Sequence, residues 1–126
     1  MKNNFFKLAE YLYYFSLVVL FILYLFPGSL IGYFLYGNLG QQPSIISNPI
    51  GTSINHLLFF IYLSTISLTS RLRNKKLINS FQFLFFISIL LELMHLIIPN
   101  RAFEYYDLFA NVLGVLLVFI IKKLIK

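Results

Sequence analysis

Cysteine is missing altogether, which rules out disulfides, thiolate catalysis and cysteine-ligated metals and leaves the redox compartment open. Charge is scarce as well: 11% of the 126 residues are charged, against roughly a quarter in an average globular protein, and only four are acidic. With 60% of its residues hydrophobic, the chain reads as a membrane protein. It is expected to form one integral-membrane domain over residues 1–126, with no room for a soluble one. Lys2 and Lys7 lead into the first apolar block, but no small-x-small cleavage pattern follows, so that block is expected to be an uncleaved span and not a signal peptide.

The net charge of +6 and the 19% aromatic content resemble those of a nucleic-acid binder. The basic residues, however, lie at the ends of apolar blocks, where they report membrane topology. Membrane lipids are therefore the expected surroundings, and nucleic acid is not an expected partner.

Four apolar blocks approach the roughly 20 residues that a membrane-crossing helix needs. They run over about 8–26, 54–70, 79–98 and 105–121. Pro27-Gly28 closes the first, and Pro99 closes the third. The segment 27–53 carries no charged residue and is rich in Gly, Asn, Gln, Ser and Pro. It is expected to rest on the membrane surface or dip back against the helices. Ser64, Thr65, Ser67, Thr69 and Ser70 in the second span are read as helix-packing hydroxyls. The aromatics Phe81, Phe83, Phe85, Phe86, Tyr105 and Tyr106 are read as lipid-facing bulk and interface belt.

The cations set the expected topology. Two precede the first span, Arg71, Arg73, Lys75 and Lys76 follow the second, and Lys122, Lys123 and Lys126 follow the fourth, leaving Arg101 as the one cation for the opposite side. Lys/Arg-rich short loops stay cytoplasmic. The expected fold is therefore all-α, an integral-membrane four-helix bundle with cytoplasmic N and C termini, and with loop 27–53 and turn 99–104 outside.

Three of the four acidic residues fall in the stretch from Glu92 to Gly114, together with His95 and Arg101. By helical rise Glu92 lies roughly 9 Å inside the outer end of the third span, at about the depth of His56 and Asn111. His95 shares the face of Glu92, and Asp107, Asn111, Gly114 and Val118 form one stripe at spacings of 4, 3 and 4. A carboxylate at that depth is expensive unless paired, protonated or wetted, which marks Glu92 as a functional candidate. Its available partners are Arg101, His56, His95 and the Asn111 amide. The alternative is a polar clamp that locks the second, third and fourth spans, with Arg101 bridging Glu92 and Asp107. Gly114 is explained by close helix approach. His56, Glu92, His95 and Asp107 are all potential metal ligands, but Glu-x-x-His without a further histidine at i+4 is not the zincin arrangement, and neither a metal nor a cofactor is expected. The four short spans show no inverted repeat and no broken helix pair, so a transport path would need an oligomer.

In the spacing of Glu92, Pro99, Arg101, Asp107, Asn111 and Gly114 the chain resembles the VanZ-like family of small bacterial membrane proteins. His56 opening a span ahead of the aromatic-rich Leu57 to Tyr62, and Pro27-Gly28 closing the first span, add to the likeness. The chain departs from the family pattern at His95, where a glutamine is usual, and at Thr52 and Ser53, where an Asp-Lys pair is common. The resemblance implies a multi-pass protein of the bacterial cytoplasmic membrane that acts at its outer face, near lipid-linked cell-wall precursors, and that affects glycopeptide sensitivity. Two functions are carried forward. In one, an outer-leaflet pocket of His56, Glu92, Asp107 and Asn111 binds an anionic lipid-linked or cell-surface molecule, with Arg101 as the anion contact. In the other, an intramembrane enzyme uses Glu92 or Asp107 as general base with His56 or His95 as its partner.

Overall fold

The computed structural model describes residues 2–40, 51–99 and 103–125. They form five α-helices: α1 Lys2–Leu25, α2 Leu30–Tyr36, α3 Gly51–Arg71, α4 Phe81–Met94 and α5 Tyr105–Ile125, with a 3-10 turn at Leu77–Asn79. No strand occurs among the described residues. Three stretches, Asn4–Leu25, Ser53–Arg71 and Tyr105–Ile125, are long and apolar enough to cross a membrane.

Several expected boundaries move. With no proline or glycine in residues 2–7, α1 extends back to Lys2, and it still ends before Pro27-Gly28. Gly28 has a φ of 117°, and a Cβ there would stand 3.1 Å from the Leu39 carbonyl oxygen, which accepts from the Ser29 N–H at 2.7 Å. Only glycine suits that position. The segment 27–53 is not wholly loop: the Ser29 hydroxyl accepts from the Gly32 N–H at 3.0 Å to start α2, and Gly37, in a left-handed conformation, ends it. Tyr33, Phe34, Leu35 and Tyr36 of α2 are exposed. Residues 41–50 of the same expected loop lie outside the described residues.

The third expected span, 79–98, is corrected to a shorter helix. Ser80 caps α4 by accepting from the Phe83 N–H at 3.2 Å, and the helix ends at Met94 after 14 residues. His95, Leu96 and Ile97 bond back to Glu92, Leu93 and Met94, three residues away instead of four. Pro99 has no N–H, and its ring would collide with the carbonyl four residues earlier, so the last turns tighten and leave the α form. At about 1.5 Å per residue α4 spans roughly 21 Å, short of the roughly 30 Å hydrocarbon core.

α3 packs against both α1 and α5, and α4 lies against α5 and α1. The core is built from the α1 stripe Tyr13, Leu17, Leu20 and Tyr24, facing Phe60 and Leu63 of α3, Leu84, Ile87 and Leu91 of α4, and Val115 of α5. The stripe follows helical spacing, which puts its four residues on one face. Around this core the polarity is inverted relative to a soluble protein. Phe5, Leu8, Phe15, Val18, Phe86, Phe109 and Ile120 are exposed, while Ser64, Ser67, Ser88, Glu92, His95, Asp107 and Asn111 are buried. An apolar exterior suits lipid, and buried polar groups give the helices a reason to associate where lipid tails are as apolar as leucine.

The hydroxyls of α3 divide between their own helix and a neighbouring segment. Thr65 and Thr69 donate to Ile61 and Thr65 carbonyls on their own helix at 2.8 and 3.0 Å, and Ser67 donates across to the Asn79 carbonyl at 2.6 Å. The expected aromatic belt is mixed: Phe86, Tyr105 and Tyr106 are exposed, but Phe81 and Phe83 pack on the core.

The two ends of the assembly differ in chemistry. Where α1 begins, the loop after α3 brings Arg73 Nη1 to 2.7 Å and Lys76 Nζ to 3.5 Å from Glu10 carboxylate oxygens. Asn79 closes that loop, donating to the Ser70 hydroxyl and the Asn74 carbonyl, each at 2.9 Å. Phe119, near the C-terminal Lys122 and Lys123 of α5, meets Phe81 at 5.0 Å between ring centroids, so these cations share the same end. The opposite end gathers the C-terminal turns of α1 and α4 with the N-terminal turns of α3 and α5.

Candidate functional site

That opposite end holds the polar cluster. Tyr24 comes from α1, Ser53 and His56 from α3, Glu92 and His95 from the end of α4, and Asp107 and Asn111 from α5. Glu92 and Asn111 are wholly buried, His95 and Asp107 nearly so. The site exists because each of these helices places a polar turn at the same level, where two helices start and two end.

Tyr24 is the hub. Its hydroxyl lies 2.6 Å from His56 Nδ1 and donates to Asn111 Oδ1 at 2.8 Å. Its ring stacks on His95, 5.6 Å between centroids, and meets His56 edge-on at 5.0 Å. Its backbone carbonyl accepts from His95 Nε2 at 3.0 Å. That bond makes Nε2 the protonated nitrogen of His95 and leaves Nδ1 3.2 Å from Glu92 Oε1. Asn111 Nδ2 donates to the Ser88 carbonyl at 3.2 Å, tying α5 to α4.

The carboxylates converge on His56. Its Nε2 stands 3.7 Å from Asp107 Oδ2, and its Nδ1 4.0 Å from Glu92 Oε2. The Ser53 hydroxyl donates to Asp107 Oδ1 at 2.7 Å, and the Glu104 N–H donates to Glu92 Oε1 at 3.2 Å. Glu104 lies just before α5, with much of its side chain in contact with solvent. Partial desolvation, reinforced by the charges of Asp107 and Glu92, pushes its carboxyl above the usual carboxylate range.

Five of the six residues singled out from sequence, His56, Glu92, His95, Asp107 and Asn111, therefore meet in one cluster. Arg101, the sixth, lies outside the described residues. The structure also alters depth: because α4 ends at Met94, Glu92 sits in its last turn and is covered by the turns that follow. Of the expected stripe on α5, Asp107, Asn111 and Gly114 are buried and Val118 is half-buried. Gly114 faces α3 so closely that a Cβ would lie 2.8 Å from Phe60 Cβ and 2.9 Å from the Leu57 carbonyl oxygen.

Sequence reasoning missed Tyr24, Ser53 and Glu104 as members of the cluster. Tyr24 carried a usable signal, a hydroxyl one turn before the Pro27-Gly28 break and so at the depth of His56. Ser53 stood one turn ahead of His56 on α3. Glu104 acts through its backbone N–H, which no sequence pattern reveals.

Chemically, the cluster offers an imidazole between two carboxylates, a constellation suited to proton transfer or to holding a cation. Comparison of the chain with protein-family models, with curated proteins and with solved structures finds no match.

Proposed function

We propose that the chain is a four-helix, multi-pass protein of the bacterial cytoplasmic membrane, of the VanZ-like kind, with both termini in the cytoplasm. Its polar cluster lies in the outer leaflet and recognises an anionic lipid-linked or cell-surface molecule, thereby changing sensitivity to glycopeptides. The observation that carries this reading is the separation of chemistry between the two ends. The cationic residues of the described chain gather at one end, and the buried histidine, carboxylate and amide groups gather at the other. Cations retained on the cytoplasmic side put the cluster outside. The 3-10 turn before α4 and the turns after it lengthen that element toward a full span. Arg101, between α4 and α5 at the cluster end in sequence, supplies the anion contact.

Replacing Arg101 with alanine is expected to abolish the glycopeptide phenotype while the protein still inserts and accumulates. Full activity of an inserted Arg101→Ala protein would refute the assignment.

A second reading is favoured by the position of His56 between two carboxylates, 3.7 Å from Asp107 and 4.0 Å from Glu92. In it, the protein is an intramembrane enzyme on a lipid-linked substrate, with Asp107 or Glu92 as base and His56 or His95 as proton partner. Asp107→Asn would then remove turnover of such a substrate while leaving its binding in place. Loss of binding and function together returns the choice to recognition.

A further inference from the structure

Each buried carboxylate in the cluster has one oxygen held and one oxygen left over. Glu92 Oε1 accepts the Glu104 N–H and faces His95, whereas Oε2 is fully buried with no hydrogen-bond partner. Asp107 Oδ1 accepts the Ser53 hydroxyl, while Oδ2 faces His56 Nε2 at 3.7 Å, beyond hydrogen-bond reach.

The His56 ring is oriented in the same manner. Its Nδ1 is flanked by two oxygens, the Tyr24 hydroxyl at 2.6 Å and Asn111 Oδ1 at 3.2 Å. The Tyr24 hydroxyl spends its own proton on Asn111 Oδ1, so it accepts from Nδ1. Nε2 is left with its lone pair facing Asp107. The Nε2 lone pair and Asp107 Oδ2 thus face each other with no proton between them. Glu92 Oε2, without a hydrogen bond of its own, lies 4.0 Å from Nδ1 at the other edge of the ring, a buried concentration of negative charge that a cation among the three residues would offset.

One donor atom from each of His56, Glu92 and Asp107 lies within 4.8 Å of the other two. Ligand atoms at about 2.0–2.2 Å from a tetrahedral ion sit roughly 3.4 Å apart, so the 3.7 Å gap between His56 and Asp107 is already close to coordination spacing. We propose that His56 Nε2, Asp107 Oδ2 and a carboxylate oxygen of Glu92 bind a divalent transition-metal ion. One imidazole with two carboxylates suits Zn²⁺ or Mn²⁺, whereas Mg²⁺ and Ca²⁺ favour oxygen-only sets. Each ligand has the hydrogen-bonded support typical of metal sites: Ser53 for Asp107, the Glu104 N–H for Glu92, and Tyr24 for His56.

The metal and the anionic ligand are separable by experiment, since metal is read from purified protein and the ligand from a phenotype. The full chain is purified in detergent, stripped with a chelator, and titrated with ZnCl₂ or MnCl₂ while metal content and Tm are followed. One ion per chain and a Tm that climbs with metal concentration are expected. Glu92→Gln and Asp107→Asn should each weaken binding by at least about tenfold, and Ser53→Ala, which removes a supporting bond without touching the ion, by about 10- to 100-fold. Should either carboxylate variant fail to accumulate, His56→Gln is expected to show the same loss. Failure of the wild-type chain to bind either ion stoichiometrically overturns the site. A metal response that is unchanged in all the variants also overturns it, by placing the ion elsewhere.

Discussion

Gly114→Ala is the sharpest test of how the cluster is assembled, because one added carbon acts on the α3–α5 contact alone. An ideal Cβ at position 114 would sit 2.8 Å from Phe60 Cβ, 2.9 Å from the Leu57 carbonyl oxygen and 3.2 Å from the Ile61 backbone nitrogen. Two of these three atoms are backbone and the third is a Cβ, so no rotamer change relieves the clash; the helices must move apart. Alanine gains about 1 kcal/mol of helix propensity over glycine, while overpacking that no rotamer change relieves falls in the upper part of its usual range, about 2–3 kcal/mol. The expected net change is a destabilisation of about 1–2 kcal/mol. The displacement has a second consequence: Gly114 lies on the face that carries Asp107 and Asn111, so separating the helices also draws those groups away from Ser53 and His56. Reversible unfolding of the purified protein in mixed micelles, with the metal titration repeated on the same sample, reads both effects. A Gly114→Ala protein as stable as wild type, with unchanged metal response, would refute the close-approach argument.

Three further outcomes are expected. Tyr24→Phe removes the hydroxyl that joins His56 to Asn111 and should cost about 1–3 kcal/mol in the same unfolding assay; a neutral effect would show that His56 and Asn111 satisfy each other without it. At the cationic end, Glu10 is buried and Arg73 is more than a third exposed, with Lys76 also within ion-pair distance of Glu10. A double-mutant cycle between Glu10 and Arg73 should therefore give a coupling of only about 1 kcal/mol or less, because solvent screens Arg73 and Lys76 remains as a partner; a coupling several times larger would contradict that. Glu104, whose carboxyl is held above its ordinary range, favours the folded state when protonated. That contribution is present below the unfolded-state pKa and is lost as pH rises through the raised folded-state value. Glu104→Gln should then match wild-type Tm in acid and exceed it at neutral pH, and a difference independent of pH would contradict the shift.

Much of the site is legible in the sequence. Glu92, His95, Asp107 and Asn111 stand out because ionisable and amide groups are costly inside apolar blocks, and helical rise alone brings His56 to their level. Hydropathy overstates the length of α4 because it runs on through Leu96, Ile97 and Ile98, while the backbone before Pro99 has already tightened into turns. The helix α2 is not legible in the sequence because seven residues carry too little periodic signal, and it is Ser29 and Gly37 that define its ends.

The sequence by itself determined the apolar segments, the placement of cations at their ends and the level of the polar turns. Each of these is a local property: twenty neighbouring residues decide whether a segment suits lipid, and a constant rise per residue decides depth. Only the tertiary structure decided that Tyr24 is the hub of the cluster, that Glu10 pairs with Arg73, and which oxygen of each carboxylate is left facing His56. These depend on how each helix is rotated about its axis and how closely it meets its neighbour. Contacts between residues as distant in sequence as Tyr24 and Asn111, 87 positions apart, settle both, as does the close approach of α3 and α5 at Gly114.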